Sequence, residues 1–143
     1  MKLATIGYEN DTQADVIARL KDAGVAVVVD VRAVASSRKA GFSKTLLAAS
    51  LAEAGIDYVH LQKLGTPKAG RDAARAGRIE EMKTIFNGHM AEPVALVELA
   101  RAGEIATHRK AALLCYEADA CGCHRLILAE RLSKALGLEI ENL

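Results

Sequence analysis

The chain has no tryptophan, and only two phenylalanines and three tyrosines among 143 residues. A core made from it is therefore aliphatic, and the aromatic platforms on which single-stranded nucleic acids stack are scarce. No apolar run approaches the roughly 20 residues that a membrane-spanning helix needs, so no membrane partner is expected. Charge of one sign is lacking too. Nineteen Lys and Arg stand against eighteen Asp and Glu, a net of +1, which gives a dedicated polyanion binder no whole-chain support. Three cysteines, an odd number, argue against a disulfide framework. The opening Met1-Lys-Leu-Ala-Thr-Ile-Gly7 runs directly into a short strand without the apolar segment of a signal peptide. A reducing, cytoplasmic setting is the expectation.

What the chain does have is aliphatic content, at 51% hydrophobic residues, in alternating strand and helix patterns. Leu3 to Ile6 is a short apolar run stopped by Gly7. Thr12-Gln-Ala-Asp15 resembles a capping box with Asp in the Glu place, followed by Val16, Ile17 and Leu20 at helical spacing. Gly24 is the expected stop. Val25 to Val31 is nearly all valine, which suits a strand buried on both faces. Arg32 to Phe42 is a polar loop, and Ser43 is a candidate N-cap for a helix carrying Leu46, Leu47 and Leu51. Ile56 to Leu61 is a third strand, and Gln62 to Gly70 a loop.

From there to Gly103 the pattern is helical in two or three pieces, with breaks expected at Asn87-Gly88 and Pro93. Ala111 to Leu114 leads a fourth strand ending near Tyr116. Leu126 to Leu136 forms the last long helix, with Gly137 closing it and Leu138 to Leu143 as a terminal edge strand. Strands separated by helices imply parallel pairing with right-handed crossovers. The expectation is one three-layer α/β domain over residues 1–143, with a mostly parallel sheet of about four to five strands and helices on both faces.

In a parallel sheet the polar groups after each strand rise to one edge: Tyr8 and Glu9, Asp30 and Arg32, His60, and Glu117. Ligands of open α/β sheets bind at that crest, and a helix amino end there favours anions. Asp30 and Arg32 share a phase in a period-two strand, as either a structural ion pair or a ligand grip. Ser36, with Ser37, Arg38 and Lys39, extends the anion site or is simply a solvated loop. His60 is expected to be a hydrogen-bonded core histidine, and His89 and His108 surface residues. Glu117 and His124 are the candidate proton-handling groups. Tyr8, Asp30, Arg32, Ser36, Cys123 and Arg125 are the candidate ligand-binding set.

The cysteines admit two further readings. Structural zinc sites space paired cysteines by roughly two to four residues. Cys121-Gly-Cys123-His124 leaves one residue between them, and Cys115 falls within the fourth strand, so no metal site is expected. A phosphatase-like loop carries Arg at about the sixth position after Cys. Cys121 occupies that position after Cys115, and Arg125 follows Cys121 too soon. Cys123, at a helix start beside Arg125, remains a candidate for a lowered pKa.

Thr5-Ile-Gly7, Val29-Asp-Val-Arg32 with the serines after it, Phe42, Gly55-Ile-Asp-Tyr58-Val-His-Leu61 with Leu64-Gly65, Leu114-Cys-Tyr-Glu117-Ala-Asp and Cys123-His-Arg125 together resemble the family called domain of unknown function 488 (DUF488). The resemblance implies an α/β fold and a shared polar site at Asp30, Arg32, Glu117, Cys123, His124 and Arg125, and no particular reaction. Members often carry Pro after Asp-Val-Arg, where this chain has Ala33, Val34 and Ala35, and the stretch from Gly65 to Gly77 is plainer than in many relatives.

The functional expectation is a domain that binds or acts on a small phosphorylated or nucleotide-like anion. Its cofactor and oligomeric state are not specified by the residues. Two alternatives stay open: a nucleic-acid-binding accessory module using Arg38, Lys39, Lys44, Lys63, Lys68, Arg71, Arg75 and Arg78, and a metal or redox protein using Cys121, Cys123 and His124.

Overall fold

The computed structural model describes all residues, 1–143. Five parallel strands, β1 (Lys2–Gly7), β2 (Val27–Asp30), β3 (Asp57–His60), β4 (Ala111–Cys115) and β5 (Glu139–Asn142), form one sheet in the order β3-β2-β4-β1-β5. Six helices connect them: α1 (Gln13–Asp22), α2 (Lys44–Glu53), α3 (Lys68–Arg75), α4 (Ile79–His89), α5 (Pro93–His108) and α6 (His124–Leu136). The fold is the expected three-layer α/β arrangement. No helix is long and apolar enough to cross a membrane.

The layers follow from strand phase. Ala4, Ile6, Val28, Ala112 and Leu114 face one side and pack on Val16 and Leu20 of α1 and Leu47 and Leu51 of α2. Leu3, Val27, Val29, Leu113 and Cys115 face the other, against Ala73, Met82, Phe86, Ala102 and Leu128 from α3 to α6. The central strands β2 and β4 are buried along their whole length, as their unbroken aliphatic runs require.

The chain moves one way along the sheet from β1 to β3 and then turns back through β4 to β5. With right-handed crossovers, that reversal sends the early and late helices to opposite faces. The loops leaving the neighbouring strands β2 and β4 therefore part, and a crevice opens between them at the carboxyl edge.

Most local signals hold. Thr12 caps α1 by accepting from the Asp15 amide at 3.1 Å. Ser43 stands at the N-cap of α2, but its hydroxyl serves Ser37 instead, accepting from the Ser37 amide at 3.0 Å. Pro93 opens α5 at its first turn, where a missing N–H costs nothing. The expected break at Asn87-Gly88 is absent, because both residues lie within the last turn of α4, where Asn87 accepts from Arg131 Nη2 at 2.7 Å. The stretch instead breaks at Pro93, as expected, and also at Gly77, whose φ of +79° separates α3 from α4. The loop expected to reach Gly70 ends sooner, since α3 starts at Lys68.

Candidate functional site

A cleft of about 850 Å³ opens at the crevice between the β2 and β4 loops. Tyr8 and Glu9 after β1, Arg32 to Arg38 after β2, Thr66 with α3, and the segment from Cys115 to His124 contribute its walls. Two glycines allow these loops to meet. A Cβ on Gly7 would lie 1.7 Å from the Glu117 carbonyl oxygen, and one on Gly65 would lie 2.2 Å from the Ala33 amide nitrogen.

Asp30 and Arg32 do share a face, and they form a buried bidentate pair. Asp30 Oδ1 accepts from Arg32 Nε at 2.9 Å and from the Arg32 amide at 3.1 Å, while Oδ2 accepts from Arg32 Nη2 at 2.7 Å and from the Tyr58 hydroxyl at 2.5 Å. Arg32 Nη1 donates to the Tyr8 hydroxyl at 2.9 Å and to the Phe42 carbonyl at 2.7 Å. Tyr8 stacks on Phe42 with centroids 4.2 Å apart. Every guanidinium nitrogen of Arg32 thus has a partner inside the protein. Burial opposes its charge, but the bonds and charge of Asp30 outweigh that and raise its pKa further. Burial and the bond to Asp30 likewise hold the Tyr58 phenol neutral far above its ordinary range.

Arg125 does not line the cleft. It is 1% exposed, and it donates from Nη1 to the Glu117 carbonyl at 2.5 Å and from Nη2 to the Ala118 carbonyl at 3.3 Å, holding the β4–α6 loop. Its Nε has no partner. His60 Nε2 lies 2.7 Å from the Arg32 carbonyl, a hydrogen-bonded position. His108 is exposed; His89 is half-buried, with its Nε2 2.6 Å from the Lys63 carbonyl. Ser36 is exposed on the cleft wall.

The floor holds Cys115, Cys123 and His124. Both thiols lie 3.7 Å from His124 Nδ1. His124 Nε2 is 2.7 Å from the Val31 carbonyl; a carbonyl only accepts, so Nε2 carries a proton and donates. Phe86 covers the ring edge-on with centroids 5.2 Å apart. Glu117 Oε2 accepts from the Cys115 thiol at 3.3 Å. Burial opposes a thiolate at Cys123, but the Cys115 thiol and the His124 and Arg125 charges outweigh it and bring its pKa well below the usual value. The neighbouring Cys123, then burial, drives the free thiol of Cys115 the other way. Burial opposes the His124 charge too, yet the Cys123 charge raises its pKa. Burial, then the Cys123 charge, raises that of Glu117.

Cys121 is exposed and outside this group; the second thiol beside Cys123 is that of Cys115, brought over by the fold from the end of β4. Arg71 and Arg75 are the other residues that sequence reasoning did not assign to this cleft. Their place on its wall comes from α3 folding across the crest, and the only signal was their basic charge. Arg71 Nη1 donates to the Thr66 carbonyl at 2.9 Å, while Arg38 and Arg75 are exposed.

The fold and crest define a parallel α/β domain with a polar cleft at a topological switch point. The chain belongs to the family described as Domain of unknown function DUF488, which matches residues 12–132. Strands β1 and β5, and with them Gly7 and Tyr8, lie outside the matched span. No curated protein and no solved structure matches the chain.

Proposed function

We propose that the domain binds a small phosphorylated or nucleotide-like anion in the crest cleft. The observation that carries this reading is the charge of the wall: beside Arg32, which Asp30 neutralises, stand three further arginines, Arg38, Arg71 and Arg75, against two glutamates, Glu9 and Glu117. A volume of about 850 Å³ suits a ligand of nucleotide size. Arg32 and Arg125 act as braces, since their donors already serve the protein. The guanidinium groups available to a phosphate are those of Arg38, Arg71 and Arg75, with the Ser36 hydroxyl beside them. Tyr116 at the rim, 45% exposed, offers a ring face to a base. Glu117 at the floor is the group placed to move a proton if the ligand is transformed, since His124 already holds the Val31 carbonyl through Nε2.

A thermal-shift series against phosphate, sulfate, nucleosides and nucleotides tests this. Ligand at about 100 times its Kd stabilises by about 2.7 kcal/mol, a rise of several degrees for a chain of this size. Phosphorylated compounds are expected to give that rise. The Arg71→Ala/Arg75→Ala double variant is expected to lose it while melting near the unliganded wild type. No rise with any anion refutes the reading, and a response to oligonucleotides alone transfers the basic wall to nucleic acid.

A further inference from the structure

We propose that Cys115, Cys123 and His124 form a binding site for a zinc-class divalent cation at the floor of the cleft. The three ligand atoms all lie within 4.8 Å of one another. In a tetrahedral zinc site with Zn–S near 2.3 Å and Zn–N near 2.0–2.1 Å, sulfur and nitrogen ligands sit about 3.6 Å apart. Here each thiol sulfur is 3.7 Å from His124 Nδ1. Both sulfur–nitrogen spacings are those of ligands around a shared centre.

The orientation of the histidine agrees. The bond from Nε2 to the Val31 carbonyl at 2.7 Å engages that nitrogen away from the sulfurs, so Nδ1 is the one that faces them and would ligate a metal once any proton it carries is displaced. A metal-bound histidine is oriented in this way, its far N–H fixed by a carbonyl or carboxylate. Ordinary core packing accounts for a buried thiol as a small apolar group. It does not account for two thiols and an imidazole nitrogen converging with a carboxylate 3.3 Å from one of the thiols.

Cys115, Cys123, His124 and Glu117 all line the cleft. The fourth coordination position therefore opens toward it, with Glu117 alongside. Three protein ligands and one open position mark zinc sites that act on a ligand, whereas purely structural sites are closed by four. The linear sequence hid the set because its members come from a strand end and a helix start. The spacing rule tests neighbours such as Cys121 and Cys123; the fold pairs Cys123 with Cys115 instead.

The test uses metal alone, with no anion present, so failure of anion binding leaves its outcome unaffected. The full chain is purified under reducing conditions without chelator, and its metal content is measured. After stripping, the chain is titrated with Co(II). One equivalent per chain is expected, with a thiolate-to-cobalt charge-transfer band and the d–d bands of a tetrahedral centre. Cys115→Ser and Cys123→Ser are each expected to abolish those bands, and Cys121→Ser to retain them, with circular dichroism reporting the fold of each. The wild-type spectrum decides the matter even if a variant does not fold. Well under one equivalent of metal in the folded wild type, or cobalt bound without a thiolate band, overturns the proposal. So does loss of binding in Cys121→Ser equal to that in Cys123→Ser.

Discussion

Replacing Asp30 with asparagine isolates the brace beneath the cleft from the cleft itself. Asp30 is fully buried and Arg32 is 5% exposed, so the guanidinium has little water to turn to. The carboxylate accepts four hydrogen bonds, two on each oxygen. The amide side chain of Asp30→Asn would keep one oxygen and present an NH2 group in place of the other. Placed at Oδ2, that group would meet the Arg32 Nη2 donor head-on; placed at Oδ1, it would meet Nε and the amide. Either orientation leaves a buried cation facing donors. Breaking a buried ion pair in this way costs about 3–5 kcal/mol, a large share of the stability of an ordinary domain. At roughly 3–4 °C per kcal/mol for a chain of this length, the melting temperature should fall by about 10–20 °C. Urea unfolding followed by circular dichroism measures the same loss as a lower midpoint with an unchanged slope. Removing both charges, as in Asp30→Leu/Arg32→Met, should cost less than Asp30→Asn alone, because no uncompensated cation remains. A cost below about 1 kcal/mol for Asp30→Asn, or a double variant worse than the single, would refute the brace and return Arg32 to the ligand.

Gly7→Ala places a methyl 1.7 Å from the Glu117 carbonyl oxygen. The loop must shift away from Arg125, and a loss of about 3–5 kcal/mol in urea unfolding is expected from overpacking and the disturbed charged hydrogen bond together. Gly24→Ala is the contrast: its φ is +73° but a Cβ there meets nothing, so only the left-handed backbone term of about 1–2 kcal/mol should appear. Equal costs for the two would show that crowding at Gly7 is relieved without the loop moving. For pH, burial and the Asp30 bond raise the Tyr58 pKa in the folded chain, whereas the unfolded chain ionises near pH 10. The stabilisation is therefore complete below about pH 10 and declines as pH rises from there toward the folded value. Urea midpoints recorded from neutral to alkaline pH should fall less steeply in Tyr58→Phe than in wild type, and parallel curves would contradict this assignment.

The layers were legible because period-two burial and helix caps are local quantities. Val25 to Val31 could be assigned to a central strand from composition alone, and β2 occupies its middle, Val27–Asp30. The convergence of Tyr8, Arg32 and Glu117 at one edge followed from parallel pairing, which the strand–helix alternation already implied. Of the breaks expected in the long helical stretch, the one at Pro93 stands; Asn87-Gly88 is a turn signal that a helix end can absorb, and the break at Gly77 was missed because it turns through a left-handed conformation that composition does not announce. The division of labour among the arginines was not legible at all. Whether a guanidinium faces a ligand depends on how many carbonyls and carboxylates surround it, and those of Glu117, Ala118 and Phe42 are positioned only by the folded loops.

That division also bears on the charge of the cleft. A thiolate on the floor would repel the same anion that the arginine wall attracts, and Glu117, only 3.3 Å from the Cys115 thiol, adds to the conflict. The imidazolium of His124 offsets one thiolate, since its Nδ1 lies 3.7 Å from each sulfur, and Cys123 and burial keep the Cys115 thiol protonated, so both sulfurs ionise only when a cation takes the proton's place. A divalent cation held by both sulfurs cancels them together and presents its open position to the cleft. The basic wall and the sulfur-lined floor are then compatible within one site. The wall would draw in the anion, and one of its oxygens would complete the coordination. Anion affinity measured with and without bound metal separates the two contributions: an anion that binds equally well to the stripped and the loaded chain touches only the wall, and a gain on loading shows that it reaches the floor.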